Sequence, residues 1–328
     1  MRIGLIGTGR IGAFHAATLA ALPAVGRLVL HDAVEQQARE LAGKIGADWA
    51  GDLDGLLGSG LDGVVVAAPT AVHDTLVRAA AAAGVPVFCE KPIAVGPAAT
   101  RALLAELSGS GVPLQVGFQR RFDAGYAALR DAVAAGDLGR LHTVRACTAD
   151  PAPPPAGYLA LSGGIFRDCA VHDFDSVRWV TGREVVEVSA TGADRGDPAF
   201  AAAGDVDTAV TVLTLDDGTL VSCTATRYNG AGYDVRMEVA GSRSTLATGY
   251  DERAPLRTTT GAVSSAAPYD GFLSRFHEAY VAEMAAFTEV ASGLRPSPCT
   301  GGDALAALLI AEAADRSLRT GRPVRVEA

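Results

Sequence analysis

A chain of 328 residues is long enough for two folding units. Its 49% hydrophobic and 20% charged composition describes a sizeable core and excludes intrinsic disorder. With 28 basic against 37 acidic residues, a net charge of −9 and no basic cluster, it also excludes a nucleic-acid backbone as a partner.

From Arg2 to about Arg121, short apolar runs alternate with Ala/Leu-rich stretches, the βαβ rhythm of a parallel sheet. Strands are expected at residues 3–7, 28–31, 64–67, 85–89 and 114–118, and helices at 11–22, 34–44, 74–83 and 98–107. Gly84 and Gly109 are expected as left-handed helix caps. The first turn, Gly7-Thr8-Gly9-Arg10-Ile11-Gly12, is a G-x-G-x-x-G between strand and helix. Small residues there let the backbone approach a pyrophosphate, and the helix N-terminus offers N–H groups and partial positive charge. Asp32, twenty residues beyond Gly12, ends the second strand, where a carboxylate accepts from ribose hydroxyls and repels a 2′-phosphate. The loop therefore points to NAD rather than NADP, the plainer reading of Asp32 being a helix N-cap before Val34. Arg10 either covers the pyrophosphate or is solvated.

The apolar run Val85-Pro86-Val87-Phe88-Cys89 meets Glu90-Lys91-Pro92. Parallel sheets bind ligands at that edge, so Lys91 is a candidate for chemistry.

After Leu141 the strands alternate in polarity, at 142–147, 185–190, 208–215, 219–226 and 235–240, and turns such as Asp216-Asp217-Gly218 join them. This is a second domain with a mostly antiparallel sheet. Residues 151–157, with four prolines, are expected as a loop, as are 249–268, and helices at 272–291 and 303–318 close the chain. Between them the run after Gly164 is helical to Val180. Asp168 and His172, four apart, share a helix face, so the carboxylate can orient the histidine as a general base. The alternative is a salt-bridged pair without chemistry. Asp173 is expected to point away from His172 and Asp175 to approach it from the C-terminal side, and no second histidine stands at metal-ligand spacing.

An N-terminal G-x-G-x-x-G, a strand ending in Glu-Lys-Pro and an Asp-x-x-x-His helix in the second domain resemble the Gfo/Idh/MocA oxidoreductases. The segments Gly117-Phe118-Gln119-Arg120-Arg121-Phe122-Asp123 and Ser162 to Asp175 resemble the inositol dehydrogenase branch. The resemblance implies an α/β protein: an N-terminal Rossmann domain over residues 1–121, then an α/β domain over 122–328 with a large open, mostly antiparallel sheet. The final helix would be able to pack back on the first domain, and the nicotinamide would lie where the two domains meet. It implies a catalytic set of Lys91, Asp168 and His172, with His172 as base, Asp168 as its orienter and Lys91 as alkoxide stabiliser or, alternatively, as the base. Cofactor contacts would come from Gly7, Gly9, Arg10, Ile11, Gly12, Asp32, Pro69, Thr70, His73, Glu90 and Lys91, with His73 equally able to cap the helix behind it and Glu90 equally able to be structural. Gln119, Arg120, Asp150 and Tyr233 would line a polyol pocket. Asp150 and Thr148 depart from the best-known inositol enzymes, so the exact polyol stays open.

The expected activity is NAD-dependent oxidation of a cyclic polyol, myo-inositol or a relative, to an inosose. A sugar or amino-cyclitol dehydrogenase is the neighbouring alternative, and a non-catalytic NAD-binding regulator a more distant one. A nucleotide-sugar enzyme would want a cationic cluster that Arg227, Arg236 and Arg243 do not make. The open sheet predicts a homodimer or homotetramer. Five cysteines without a Cys-x-x-Cys pair, no signal peptide before a strand that begins at Arg2, and no apolar run of the roughly 20 residues that span a bilayer predict a cytoplasmic protein without membrane contact.

Overall fold

The computed structural model describes residues 1–256 and 266–327. The chain divides into two compact units, Met1–Phe122 with Glu278–Leu305, and Asp123–His277 with the chain after Leu305.

The first unit runs through β1 (Arg2–Ile6), α1 (Arg10–Ala21), β2 (Arg27–His31), α2 (Glu35–Ile45), β3 (Asp48–Trp49), α3 (Leu53–Leu57), β4 (Gly63–Val66), α4 (His73–Ala82), β5 (Val87–Glu90), α5 (Pro97–Leu107) and β6 (Leu114–Gly117). The six strands make one parallel sheet in the order β3-β2-β1-β4-β5-β6. Strand order reverses between β1 and β4, the point where open α/β sheets bind ligands at the strands' carboxyl ends. All four residues of β4 are buried, as a sheet covered on both faces requires. Ile3, Leu5, Leu28, Leu30, Val65 and Phe88 meet Ala16 and Leu19 of α1, Ala38 and Ala42 of α2, and Met284 and Phe287 from the later segment.

Every strand and helix expected in this half is present, displaced by at most two residues at an end. Gly84 has φ +71°, as a left-handed cap should. Gly109 does not: α5 closes on right-handed Ser108, and the positive φ falls at Gly111.

The chain continues with α6 (Ala124–Ala135), β7 (Leu141–Ala149), α7 (Ala156–Ser162), α8 (Val171–Thr181), β8 (Val185–Ala193), α9 (Pro198–Ala203), β9 (Thr208–Leu215), β10 (Leu220–Thr226), β11 (Asp234–Gly241), β12 (Thr245–Thr248), α10 (Phe272–Arg275), α11 (His277–Ala291), α12 (Gly301–Thr320) and β13 (Val324–Arg325). Seven strands form the second sheet, in the order β12-β11-β7-β10-β9-β8-β13. Its pairs are antiparallel except β7 with β10, which makes the sheet mixed. In β9, Ala209, Thr211, Leu213 and Leu215 are buried while Val210 and Val212 are exposed. One face is packed and the other open.

Two expectations change here. The proline loop ends earlier than expected, because Pro155 in extended conformation starts α7 at Ala156. The helix expected at 272–291 is two helices with Phe276 between them. Of the loop expected at 249–268, residues 257–265 lie outside the described residues, and the described remainder is neither helix nor strand. Among the described residues no helix is long and apolar enough to cross a membrane.

Candidate active site

The glycine loop tests whether the first unit fits a dinucleotide. Gly7 sits at φ +93°, and a Cβ there would lie 2.6 Å from the Ala68 nitrogen. A Cβ at Gly12 would run into the Gly7 carbonyl, so only glycine lets α1 approach β1 this closely. Gly9 has nothing within 4 Å of a Cβ position: its missing side chain leaves open space above the helix N-terminus. No side chain caps that end, and no acidic residue stands in the first turn of α1. These are the requirements of a bound pyrophosphate, and the residues fit it. Arg10 is exposed and Ile11 half-buried at the start of the helix.

Asp32 ends this loop on the other side. Its carboxylate accepts from the Thr8 backbone N–H at 2.7 Å, the Thr8 hydroxyl at 2.9 Å and the Val34 N–H at 2.9 Å. Burial raises its pKa, but these hydrogen bonds outweigh it and hold the carboxyl below its ordinary value. Asp32 is not the N-cap of α2: that position is Val34, without a side-chain cap. The hydrogen bonds use three of about four acceptor positions and fix a negative charge beside the glycine loop, leaving room for one further donor.

Lys91 directly follows β5 and is half-buried. Its neighbour Glu90 turns inward: Oε1 lies 2.6 Å from His15 Nε2, and a Cβ on Gly117 would meet Oε2 at 3.0 Å. Glu90 thus has a structural partner in His15 of α1. His73 is buried, with Nδ1 2.8 Å from the Pro92 carbonyl and Nε2 2.7 Å from the Ala68 carbonyl. It ties the loop after β4 to the loop after β5, and does not cap α4. Pro69 is exposed and Thr70 half-buried on the short 3₁₀ turn between them.

After β6, Gln119 and Arg120 are buried on the 3₁₀ turn Gln119–Phe122. The adjacent Arg121 is an anchor, bonding the Pro298 carbonyl and Asp303, both at 3.1 Å.

In the second unit, Asp168 lies on a π-helical turn, Phe166–Ala170, that runs into α8. Such turns recur at functional sites. Asp168 accepts from the Tyr158 hydroxyl at 2.9 Å and from Arg227 Nη2 at 2.7 Å. The other arm of Arg227, Nη1, reaches Asp150 at 2.9 Å. This guanidinium is only 4% exposed and bridges two carboxylates expected to have separate roles. Asp150 is therefore an anchor of Arg227 as well as a candidate polyol ligand. His172 is half-buried on the first turn of α8. Asp173 is fully buried and accepts from the Thr148 hydroxyl at 2.8 Å; Asp175 is also fully buried, and Tyr233 is buried just before β11.

Arg227 and Tyr158 were not expected at this site. Arg227 lies 59 residues from Asp168 at the end of β10, and Tyr158 in the short helix after the prolines, so no local spacing announces either. Among the described residues no group of three or more His, Cys, Asp or Glu is placed to hold a metal ion.

Two sequence profiles match. Residues 1–118 match an oxidoreductase family with an NAD-binding Rossmann fold, and residues 126–247 match the GFO/IDH/MocA C-terminal domain. The chain belongs to the Gfo/Idh/MocA oxidoreductase family. It is 42% identical over 325 residues to the myo-inositol dehydrogenase Hyg17 of Streptomyces leeuwenhoekii, covering 98% of each chain. It is 38% identical to the myo-inositol 2-dehydrogenase of Thermotoga maritima, over 100% of this chain and 99% of that one. Among solved structures, a myo-inositol dehydrogenase from Corynebacterium glutamicum superposes with a TM-score of 0.92 at 35% identity, over 100% and 99% of the chains. A scyllo-inositol dehydrogenase from Lactobacillus casei, with bound NAD(H) and scyllo-inositol, superposes at 0.89 with 27% identity, over 100% and 99%. The family assignment makes the first unit an NAD-binding domain, in agreement with its strand order and glycine loop.

Proposed function

We propose that this protein oxidises a secondary alcohol on a cyclic polyol, myo-inositol or a close relative, to the corresponding inosose with NAD as acceptor. The observation that carries the reading is the Asp150–Arg227–Asp168 bridge, with Asp168 four residues before His172 in sequence, in a chain whose full-length relatives include enzymes named myo-inositol dehydrogenase. Bound NAD supplies the hydride acceptor. The protein must remove the hydroxyl proton and hold the oxygen while the hydride leaves the same carbon.

His172 is assigned as the base. Asp168, fixed by Arg227 and Tyr158, favours the protonated form that His172 acquires. Lys91, as an ammonium, steadies the negative charge that develops on the alcohol oxygen. Gln119, Arg120, Asp150 and Tyr233 are the assigned polyol ligands, since a ring of hydroxyls calls for donors and acceptors rather than an apolar cavity.

The finer assignments belong to the same reading. The open face of the second sheet carries Val210, Val212 and Leu220 exposed, which supports a homodimer or homotetramer through that face. The net charge of −9 is unsuited to nucleic acid, and five widely spread cysteines without a Cys-x-x-Cys pair suit the cytoplasm.

The test mixes purified protein and NAD with a panel of cyclitols, pyranoses and amino-cyclitols and follows the near-ultraviolet absorbance of reduced cofactor. Turnover with a cyclitol, lost in His172→Ala, is expected. Turnover with pyranoses alone moves the assignment to a sugar dehydrogenase, and none with any alcohol overturns it.

A further inference from the structure

The short connection between α9 and β9 touches both halves of the Arg227–Asp168 pair. Gly204 ends α9 in the left-handed region, and the Asp205 N–H donates to the carbonyl of fully buried Phe200 at 2.9 Å. The connection is therefore anchored where it leaves the helix. Two residues on, the Asp207 carbonyl accepts the Arg227 N–H at 2.8 Å, and the buried Asp207 carboxylate accepts from the Arg195 and Gly196 N–H groups, both at 2.6 Å. Its other end is thus fixed at the residue whose guanidinium holds Asp168.

Asp205 lies between these anchors and faces the turn that carries Asp168. Gly164 has φ +88°, Ile165 after it is already helical, and the Asp168 N–H donates to the Gly164 carbonyl at 3.0 Å. Asp205 Oδ1 accepts from the Ile165 N–H at 3.0 Å, and a Cβ on Gly164 would lie 3.2 Å from the same oxygen. A side chain from outside the helix takes one of the N–H groups that a helix start leaves without an intrahelical partner. Asp205 Oδ2 is buried and has no hydrogen-bond partner among the described residues, because Arg167 on the turn reaches Asp315 of α12 at 3.1 Å instead. Burying a carboxylate oxygen unbonded costs stability, which a cap serving stability alone would avoid.

We propose that Asp205 is a positioning residue for the oxidation: by fixing the Ile165 N–H it sets the turn at the place where Asp168 meets Arg227. The inference rests on the reading of Asp168 as the orienter of His172. Residues 204–207 then act as a spacer, with Asp205 on the turn that bears the carboxylate and Asp207 on the strand end that bears its guanidinium. Asp205 works through Asp168, and its role needs no contact with substrate or cofactor.

The test is a double-mutant cycle on the whole enzyme, with NAD and a cyclitol panel headed by myo-inositol, each variant checked for folding by circular dichroism. Asp205→Ala is expected to lose about tenfold or more in kcat while KM for the polyol stays within about threefold. Asp205→Asn keeps an oxygen that accepts from the Ile165 N–H, so its kcat should stay within about threefold of the wild type. In an Asp168→Asn background, Asp205→Ala should cost less than about a further twofold, because residues that act as a unit are not additive. Wild-type kcat in Asp205→Ala, an asparagine variant as slow as the alanine one, or equal losses in both backgrounds would each overturn the proposal. Full turnover in Asp168→Asn instead defeats the underlying reading of Asp168, and this inference with it. If Asp205→Ala does not fold, Asp205→Glu replaces it in the cycle. That variant keeps the charge but carries it one methylene farther against Gly164, and it should lose about fivefold or more in kcat, with wild-type kcat again overturning the proposal.

Discussion

Arg227 decides how the second unit holds its charges. Two carboxylates, Asp150 and Asp168, are 21% and 15% exposed, and one guanidinium only 5% exposed in its side chain spans both. Its planar fork directs one nitrogen at each carboxylate, a geometry that the single ammonium of lysine cannot reproduce. Removing one partner from a buried charge pair typically costs about 3–5 kcal/mol, so Arg227→Ala should lose roughly that much in a urea titration. Arg227→Lys keeps the positive charge but reaches only one carboxylate. It should lose about 1–2 kcal/mol and, if Asp168 orients His172 as proposed, still fall at least about tenfold in kcat, because Asp168 or Asp150 then loses its Arg227 contact. A lysine variant with full turnover would reduce Arg227 to a stabilising ion pair.

At the scale of elements, the turn from β1 into α1 separates two roles of glycine within four residues. Gly12 is a packing position, where a methyl group meets the Gly7 carbonyl, whereas Gly9 faces open space. Gly12→Ala is therefore expected to lower the melting temperature by several degrees, about 4 °C or more, with cofactor affinity falling as a consequence. Gly9→Ala should leave the melting temperature of the cofactor-free protein unchanged and weaken NAD at least about tenfold by calorimetry, since the methyl group occupies the pyrophosphate's approach. Equal losses of stability in the two variants would contradict the division. The same turn explains what could be read from the chain itself. In the first unit β1, β4 and β5 are buried apolar runs and α1, α4 and α5 Ala/Leu-rich stretches, so local pattern and tertiary need agree, whereas the two exposed residues of β3 give no such signal. The places of Lys91 and Asp32 just past β5 and β2 were legible because a polar residue there ends an apolar run. Glu90 was harder to place. Its partner His15 lies 75 residues earlier on a helix whose buried face carries no charged side chain, and only the fold brings the two together. In the second unit the π turn at Asp168 looks like ordinary helix in sequence, and helices α6, α7 and α9 are too short or too alanine-rich to stand out.

At the scale of the whole molecule the two units differ in how they manage their sheets. The central strands of the first, β1, β4 and β5, are buried, while the second sheet keeps one face uncovered. Cross-strand pairing sets the composition of that face: Val212 stands opposite Ser189 and Ser222, Val210 opposite Thr191 and Thr224, and Leu220 opposite Thr214 and Thr143. Farther along, Ser222 lies beside Arg145, whose guanidinium pairs with Glu238. Small, β-branched and hydroxyl-bearing side chains with one ion pair make a flat surface that a second copy can meet without burying unpaired charge. Isologous contact through one face gives a dimer, and a second patch elsewhere would be needed for a tetramer. Val212→Asp places a carboxylate on the open face, next to the central strand β10, and in the proposed dimer sets it near its own image. A like-charge contact of that kind costs several kcal/mol, so sedimentation of the variant should show the next smaller species at the same protein concentration. Circular dichroism should stay unchanged, because Val212 is 46% exposed and packs against nothing in the core. An unchanged sedimentation coefficient would mean that this face remains in water and that any assembly uses another surface.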